Sequence, residues 1–164
     1  MAVAQTILTT AGGALSVTLG VVMGAVLTRR AQDRHWLWDK QLAAYQELLR
    51  QYATFTMVLS RAHRARTGWD YDWAVWSAAL ASASLVAPAE IAEEIDSFSV
   101  VVGVFLEKAG VDTMTAALSA DEFKQAMLAP GRAQLSLVNA IRRGFGKNEK
   151  PLTMWLGGSL AGRP

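Results

Sequence analysis

The chain has 164 residues, no cysteine and a formal net charge of +2. Without cysteine it can form neither disulfides nor thiolate metal sites. Its charges are segregated along the chain. Residues 29–66 hold eight basic and three acidic side chains, a net charge of +5, whereas residues 67–112 hold one basic and eight acidic side chains, a net charge of −7. Residues 113–164 hold seven basic and three acidic side chains, a net charge of +4. The basic residues are scattered and mostly far from aromatic residues, which argues against a nucleic-acid partner.

The N-terminal residues form an apolar run. Ala2 to Thr28 contains no charged residue, and the run stops at Arg29-Arg30. Residues 7–27 would span about 30 Å as a helix, which matches the hydrocarbon core of a bilayer. We therefore predict a single transmembrane helix within residues 1–28. A cleaved signal peptide would need basic residues before the run, and a buried core helix seldom exceeds about 14 residues without a polar face.

The basic residues after this run predict its orientation. Arg29, Arg30 and Arg34 follow it directly, and short segments rich in Lys and Arg stay on the cytoplasmic side of a membrane. The predicted topology is single-pass in the plasma membrane, with the N-terminus outside and the C-terminal domain in the cytoplasm. The same three arginines are expected to contact lipid headgroups, because anionic headgroups attract basic segments.

Small residues recur along the apolar run at strict four-residue intervals. They are Gly12, Ser16, Gly20 and Gly24. On a helix this spacing places them on one face, where two helix backbones can approach closely. We predict that this face is the seam of a homo-oligomer within the membrane.

A second helical pattern follows the apolar run at once. Its apolar stripe has alternating spacings of three and four, as in an amphipathic helix, and consists of His35, Trp38, Leu42, Tyr45, Leu49, Tyr52, Thr56, Leu59 and His63. The opposite face carries Lys40, Glu47, Arg50, Gln51 and Arg61. Gly68 is predicted to end this helix. No proline or glycine lies between Ala25 and Thr67, so the span and this helix are either continuous or bent near residues 29–34.

Three further helices are predicted. Asp70 or Asp72 caps the next one, whose inner face holds Trp69, Trp73, Trp76, Leu80, Ala83 and Ala87. Pro88 opens the third at its first helical position, and Gly110 closes it; its inner face holds Ile91, Ile95, Phe98, Val102 and Phe105. A capping box at residues 119–122 starts the fourth, which Pro130-Gly131 breaks or restarts; its inner face holds Leu135, Val138, Ile141 and Phe145.

These elements predict an all-α protein, in which one N-terminal transmembrane helix precedes an antiparallel four-helix bundle. The turns at Thr67-Gly68 and Ala87-Pro88 are short, and short turns require antiparallel neighbours. The bundle is predicted to occupy residues 29–147 and to lie in the cytoplasm. Residues 148–164 lack helical periodicity, and we predict a flexible tail there.

Three strings in the sequence carry a resemblance to known proteins. DKQLAAYQELL at residues 39–49 follows Arg29-Arg30 and Trp36, APAEI occupies 87–91, and NAIRRGFG occupies 139–146. Placed after an apolar span, they resemble a group of small single-pass membrane proteins common in actinobacteria, which is functionally uncharacterised. The resemblance covers most of the chain. It implies the same fold and topology, and it implies no catalytic residue.

No pattern in the sequence is typical of a catalytic, cofactor-binding or metal site. The two histidines of the predicted helix, His35 and His63, would lie about 42 Å apart and cannot share a metal within one subunit. The acidic pairs lack the glycine-bearing loop of a calcium site and the Glu-x-x-His partners of a di-iron site; these pairs are Asp70 with Asp72 and Glu90 with Glu94. We therefore predict no catalytic residue, no cofactor and no metal.

The leading hypothesis is a non-enzymatic, membrane-anchored helical module that self-associates through its span and presents its bundle to an unknown cytoplasmic protein partner. The alternative is a membrane-active effector, in which the span assembles into a pore or lesion and the bundle gates it. An enzyme is the third hypothesis. It would require a deep polar pocket with clustered groups of perturbed pKa.

Overall fold

The structure, a computed structural model, describes residues 36–110, 113–114, 118–147 and 150–153. The chain divides into two compact units, Met1–Lys40 and Gln41–Pro164. In the first unit, residues 36–40 are described and helical, and the Lys40 ammonium lies 5.7 Å from the centre of the Trp36 ring. Among the described residues, no helix is both long and apolar enough to cross a membrane. The predicted span, Ala2 to Thr28, lies outside them.

The predicted residues of the membrane seam and of the headgroup contact also lie outside the described part of the chain. They are Gly12, Ser16, Gly20, Gly24, Arg29, Arg30 and Arg34. The second unit is all-helical where it is described, as predicted, and strands are absent from those residues. Five helical segments make up this part: α1 (residues 41–65), α2 (Trp73–Val86), α3 (Ala89–Ala109), α4 (Ala120–Ala126) and α5 (Leu128–Gly144).

Helix α1 ends in a left-handed residue, but not at the predicted glycine. Arg66 has a φ of 51°, and the amide N–H of Thr67 donates to the Ala62 carbonyl at 3.1 Å. This N–H is one of the donors that satisfy the carbonyls left open in the last turn of a helix. Among the described glycines only Gly146 has a positive φ. Gly68 therefore follows the helix end without forming it.

The caps of α2 and α3 agree closely with the sequence. Of the two predicted aspartates, Asp72 caps α2, and its carboxylate accepts from the amides of Ala74 and Val75. Pro88 lies one position before its predicted place: it is the N-cap of α3, and Ala89 is the first helical residue. The N-cap has extended backbone, as Pro88 does at φ −59° and ψ 155°, so proline is tolerated there.

The fourth predicted helix is two helices. The capping box at Ser119 and Glu122 starts α4, as predicted. Met127 separates α4 from α5, and Pro130 is the third residue of α5. Proline has no N–H, and its ring clashes with the carbonyl four residues earlier, here that of Ala126. The break therefore comes three residues before the proline that causes it.

Contacts between the helices give the bundle its arrangement. Gln41 at the start of α1 donates to the Val86 carbonyl at the end of α2, at 2.7 Å, so these two helices are antiparallel. Helices α3 and α5 are also antiparallel, because Ile91 in the first turn of α3 lies beside Gly144 at the end of α5. Buried side chains from α1, α2, α3 and α5 together form the core, in which Phe55, Phe98 and Leu137 are fully enclosed.

The inner faces of the helices follow the predicted stripes to different degrees. All five predicted residues of α3 are buried. The core stripe of α1 is rotated from the prediction, because it is centred on Leu48, Phe55 and Ala62, whereas Leu42 is 44% exposed. In α5, Leu137 is the innermost leucine and the predicted Leu135 is half-buried.

Candidate functional site

The described part of the bundle has an open groove between α1 and α2. Its volume is about 400 Å³, and its lining consists of Glu47, Ala74, Val75, Ala78, Ala79 and Ser82. Ala74, Ala78 and Ser82 are spaced four residues apart, so they form one row along α2. The groove is therefore a shallow apolar trough with one carboxylate on its α1 wall.

The carboxylate of Glu47 is held by neighbours on its own helix. Arg50 donates from Nε to Oε2 at 2.8 Å and from Nη2 to Oε1 at 2.6 Å, and Gln51 donates from Nε2 to Oε1 at 2.6 Å. Hydrogen bonds to an ionised carboxylate stabilise its charged form. They lower the pKa of Glu47 to about 2, with the bond from Arg50 as the main cause and that from Gln51 next.

Tyr71 connects this cluster to the loop before α2. Its hydroxyl donates to Gln51 Oε1 at 2.8 Å, and Gln51 is 5% exposed. The amide of Gln51 thus accepts from Tyr71 on one side and donates to Glu47 on the other, so the Tyr71–Gln51–Glu47 chain fixes the carboxylate in one orientation. We predicted Gln51 on the solvent-facing side of α1; it is buried because the phenol and the carboxylate satisfy both ends of its amide.

An aromatic cluster fixes the start of α2 against α1. The ring of Phe55 in α1 is the centre of this cluster, and the centroids of Trp69, Tyr71, Trp73 and Trp76 lie 5.7 to 6.4 Å from it. Several of these pairs are tilted or edge-to-face, which is the favoured geometry of aromatic contacts. The groove wall that α2 provides is therefore built on a rigid base.

Three hydrogen bonds link the α1–α2 loop and the end of α1 to the end of α3. Trp69 Nε1 donates to the Gly110 carbonyl at 2.9 Å, and the Thr113 hydroxyl donates to the Thr67 carbonyl at 2.6 Å. His63 Nε2 bonds to the Ala109 carbonyl, which requires the tautomer with the proton on Nε2. The His63 ring also packs on Phe123, with centroids 4.5 Å apart. These contacts give His63 a structural role at the end of α1.

The acidic pairs considered from the sequence have local roles. Asp72 caps α2, and Glu94 accepts a hydrogen bond from Ser136 on α5 at 2.9 Å. Within the described residues, no group of three or more His, Asp or Glu side chains is arranged to hold a metal ion. His35 lies outside these residues.

The tail that the sequence predicted after residue 147 begins with an attached segment where it is described. Asn139 on α5 donates from Nδ2 to the Leu152 carbonyl at 3.0 Å and accepts from the Leu152 amide at Oδ1 at 2.8 Å. These two hydrogen bonds satisfy both the backbone N–H and the backbone carbonyl of Leu152. Residues 150–153 therefore lie along α5.

The groove was not predicted from the sequence. Glu47 was predicted on the face of α1 opposite its apolar stripe, and only the inward-facing residues of α2 were predicted. A signal was present, because Trp73 to Ala87 contains no ionisable residue, and a surface helix normally has a charged or polar face.

Comparison of the chain with protein-family models, with curated proteins and with solved structures gives no match. The resemblance to small single-pass membrane proteins therefore stays a prediction.

Proposed function

We propose that this chain is a membrane-anchored helical interaction module, which self-associates through its N-terminal segment and binds a cytoplasmic protein partner through its bundle. The apolar run of residues 2–28 and the arginines after it support the anchor and its orientation. The single observation that carries the binding role is the exposed surface of α2.

Helix α2 has an unusual surface for a helix at the outside of a bundle. Of its 14 residues only Trp76, Ala79 and Ala83 are buried. Nine are exposed, and they are Trp73, Ala74, Val75, Ser77, Ala78, Ala81, Ser82, Ser84 and Leu85. None of the nine is ionisable. Exposed surface of this kind, which is apolar apart from three serines, is typical of an interaction site.

The chemistry of the groove favours binding over catalysis. A general acid or base works best with a pKa near the operating pH. Glu47 has a pKa of about 2, so it is ionised at neutral pH, and Arg50 and Gln51 occupy its oxygens. Such a carboxylate is poorly suited to exchange protons.

Fractionation and crosslinking of the full chain test the proposal. The wild-type protein should sediment with membranes and give a crosslinked oligomer. The double variant Gly20→Ile/Gly24→Ile should stay in the membrane and lose the oligomer, because the bulky side chains keep the helix backbones apart. The matched control, Val22→Ile, enlarges a residue that does not belong to the predicted seam and should retain the oligomer.

Three results would contradict the proposal. Intact protein in the soluble fraction without detergent would contradict the proposed membrane anchor. Unchanged crosslinking in the double variant would contradict the proposed self-association through Gly20 and Gly24. Collapse of the membrane potential on induced expression, measured with a potential-sensitive dye, would favour a membrane-active effector instead.

A further inference from the structure

The shape of the α2 surface fits a helix as its ligand. The row Ala74, Ala78 and Ser82 is small and flat, and larger apolar side chains stand at its two ends: Trp73 is 41% and Leu85 is 86% exposed. Small side chains let a second helix approach to about 8 Å between axes, and the larger ones limit sliding along the row. The 14 residues of α2 extend for about 21 Å, or four turns.

The charges around this surface are acidic at both ends. Asp72 precedes α2 directly, and Glu90 lies in the first turn of α3 just after it. Residues 67–112, which include all of α2, carry one basic and eight acidic side chains. On the α1 wall, Arg50 offsets the charge of Glu47, with which it pairs. Asp72 and Glu90 therefore place one acidic side chain near each end of α2.

We infer that the groove between α1 and α2 binds a helix of a partner protein that carries a narrow apolar stripe of small and aliphatic residues, with Lys or Arg at both ends of about four turns. The apolar stripe would cover the uncharged row of α2. The basic ends would face Asp72 and Glu90. This inference deepens the proposed function by giving the partner a chemical class.

A second copy of the chain is a poorer occupant of this surface. If α2 packed on α2 of another copy, acidic ends would meet acidic ends in either direction, and close like charges oppose association. A lipid surface is also a poorer occupant. Helices that lie on membranes usually carry Lys and Arg on their polar face and large apolar residues on the other. Helix α2 has no basic residue, and six of its nine exposed residues are alanine or serine.

The size of the surface sets the expected affinity. A helix about 21 Å long and about 10 Å wide covers roughly 200 Å² on each partner, well below the roughly 1,200 Å² in total that stable interfaces bury. We therefore expect a weak complex for a single helix. Self-association of the anchored chain would raise the effective strength through multivalency.

Fluorescence anisotropy with labelled synthetic helices tests the inference on the full-length protein in detergent micelles. The probe is a helical peptide of about 20 residues with an Ala/Leu stripe and two Lys at each end. The matched probe has the same stripe with Glu in place of Lys. The basic peptide should bind at least about tenfold more tightly than the acidic one, and its affinity should fall as salt is added.

Variants of the protein locate the site. Ala78→Lys fills the groove and adds repulsion, so it should weaken the basic peptide at least about tenfold. Val100→Lys is the matched control, since Val100 on α3 is 59% exposed and does not line the groove; it should bind like the wild type. Asp72→Asn with Glu90→Gln keeps a capping side chain on α2 and should weaken binding several-fold. Far-UV circular dichroism confirms that each variant is folded.

Several outcomes would overturn the inference. Equal binding of both peptides, or wild-type affinity in Ala78→Lys, would show that this face and its charge do not select the ligand. If Ala78→Lys abolished self-association in ultracentrifugation, the occupant would be a second copy. If it abolished binding to vesicles of anionic lipid, the occupant would be a membrane.

The outcome of the peptide assay is independent of the anchor. A chain that fractionates as soluble but binds the basic peptide through Ala78 would contradict the proposed function and support the groove. A membrane-bound, self-associating chain that binds neither peptide would support the anchor and the self-association and contradict the groove as a binding site.

Discussion

Replacement of Gly110 by alanine should destabilise the bundle, although alanine is ordinarily tolerated at its backbone conformation of φ −97° and ψ −20°. A Cβ at this position would lie 2.8 Å from the Leu106 carbonyl oxygen and 2.9 Å from Cζ2 of Trp69. The carbonyl is fixed in α3, and the indole is held by its bond to the Gly110 carbonyl and by the Phe55 ring. Neither neighbour can move without the loss of a contact.

The expected cost follows from these contacts. Overpacking of this kind costs about 1–3 kcal/mol, and displacement of the Trp69 indole would also lose a hydrogen bond worth about 1 kcal/mol. Alanine recovers about 0.4–1 kcal/mol by restricting the unfolded chain. The net loss in the free energy of unfolding for Gly110→Ala should therefore be about 1–3 kcal/mol.

Gly103 provides the matched control on the same helix. No atom lies within 4 Å of a Cβ built there, and alanine is favoured over glycine in a helix interior by about 0.5–1 kcal/mol. Gly103→Ala should therefore stabilise the protein. Urea unfolding of the purified full-length chain, followed by circular dichroism and tryptophan fluorescence, measures both changes.

A double-mutant cycle identifies the cause. In a Trp69→Phe background the smaller ring leaves room for the new methyl group, so Gly110→Ala should cost less than in the wild type. Equal or greater stability of Gly110→Ala would refute the proposed clash. An unchanged cost in the Trp69→Phe background would refute the contribution of Trp69 and leave the Leu106 carbonyl as the cause.

Further predictions concern the core, the polar cluster and the attached tail. Tyr52→Phe should leave the free energy of unfolding unchanged or raise it by about 1 kcal/mol, because the buried Tyr52 hydroxyl has no hydrogen-bond partner among the described residues. Tyr71→Phe should lower it by about 1 kcal/mol, because the hydrogen bond to Gln51 is lost. A larger loss in Tyr52→Phe than in Tyr71→Phe, measured by urea unfolding, would contradict both expectations. Burial raises the pKa of Tyr52 above its usual value of 10, so its contribution to stability is complete below pH 10 and declines as the pH rises further; unfolding measured along an alkaline series should show a smaller loss in Tyr52→Phe than in the wild type. Asn139→Leu should remove both hydrogen bonds to Leu152 and speed amide exchange of Leu152, which mass spectrometry would detect, and unchanged exchange would show that another contact holds the segment.

The strength of each hydrophobic pattern decided how much of the fold could be predicted. In α3 the residues at 91, 95, 98, 102 and 105 follow the helical spacing of three and four, so the inner face could be predicted although Val100, Val101 and Val104 are also apolar. In α1 the neighbours Leu48 and Leu49 fit two adjacent stripes equally well. Only the aromatic contacts around Phe55, which come from a distant part of the sequence, determine which of them is buried.

The groove could not be predicted for a different reason. Helix α2 is apolar or small on every side, so its predicted inward face is only partly right: Trp76 and Ala83 are buried, whereas Trp73 is 41% exposed. The buried position of Gln51 depends on Tyr71, 20 residues later, and no periodicity reports such a pair. Caps, in contrast, depend on residues within one turn: Ser119 was predicted, and Asp72 was one of the two candidates predicted for α2.

The separation of α4 from α5 at Met127 has a consequence for how this end of the bundle opens. A seven-residue helix is too short to persist in isolation. Helix α4 therefore depends on its capping box and on Phe123, whose ring rests against His63 and Phe105. Since Met127 uncouples it from the longer helix, α4 can detach while the rest stays folded. Among the described helices, proteases should cut first around residues 120–127, and partial unfolding should begin there at a free energy below that of the whole domain.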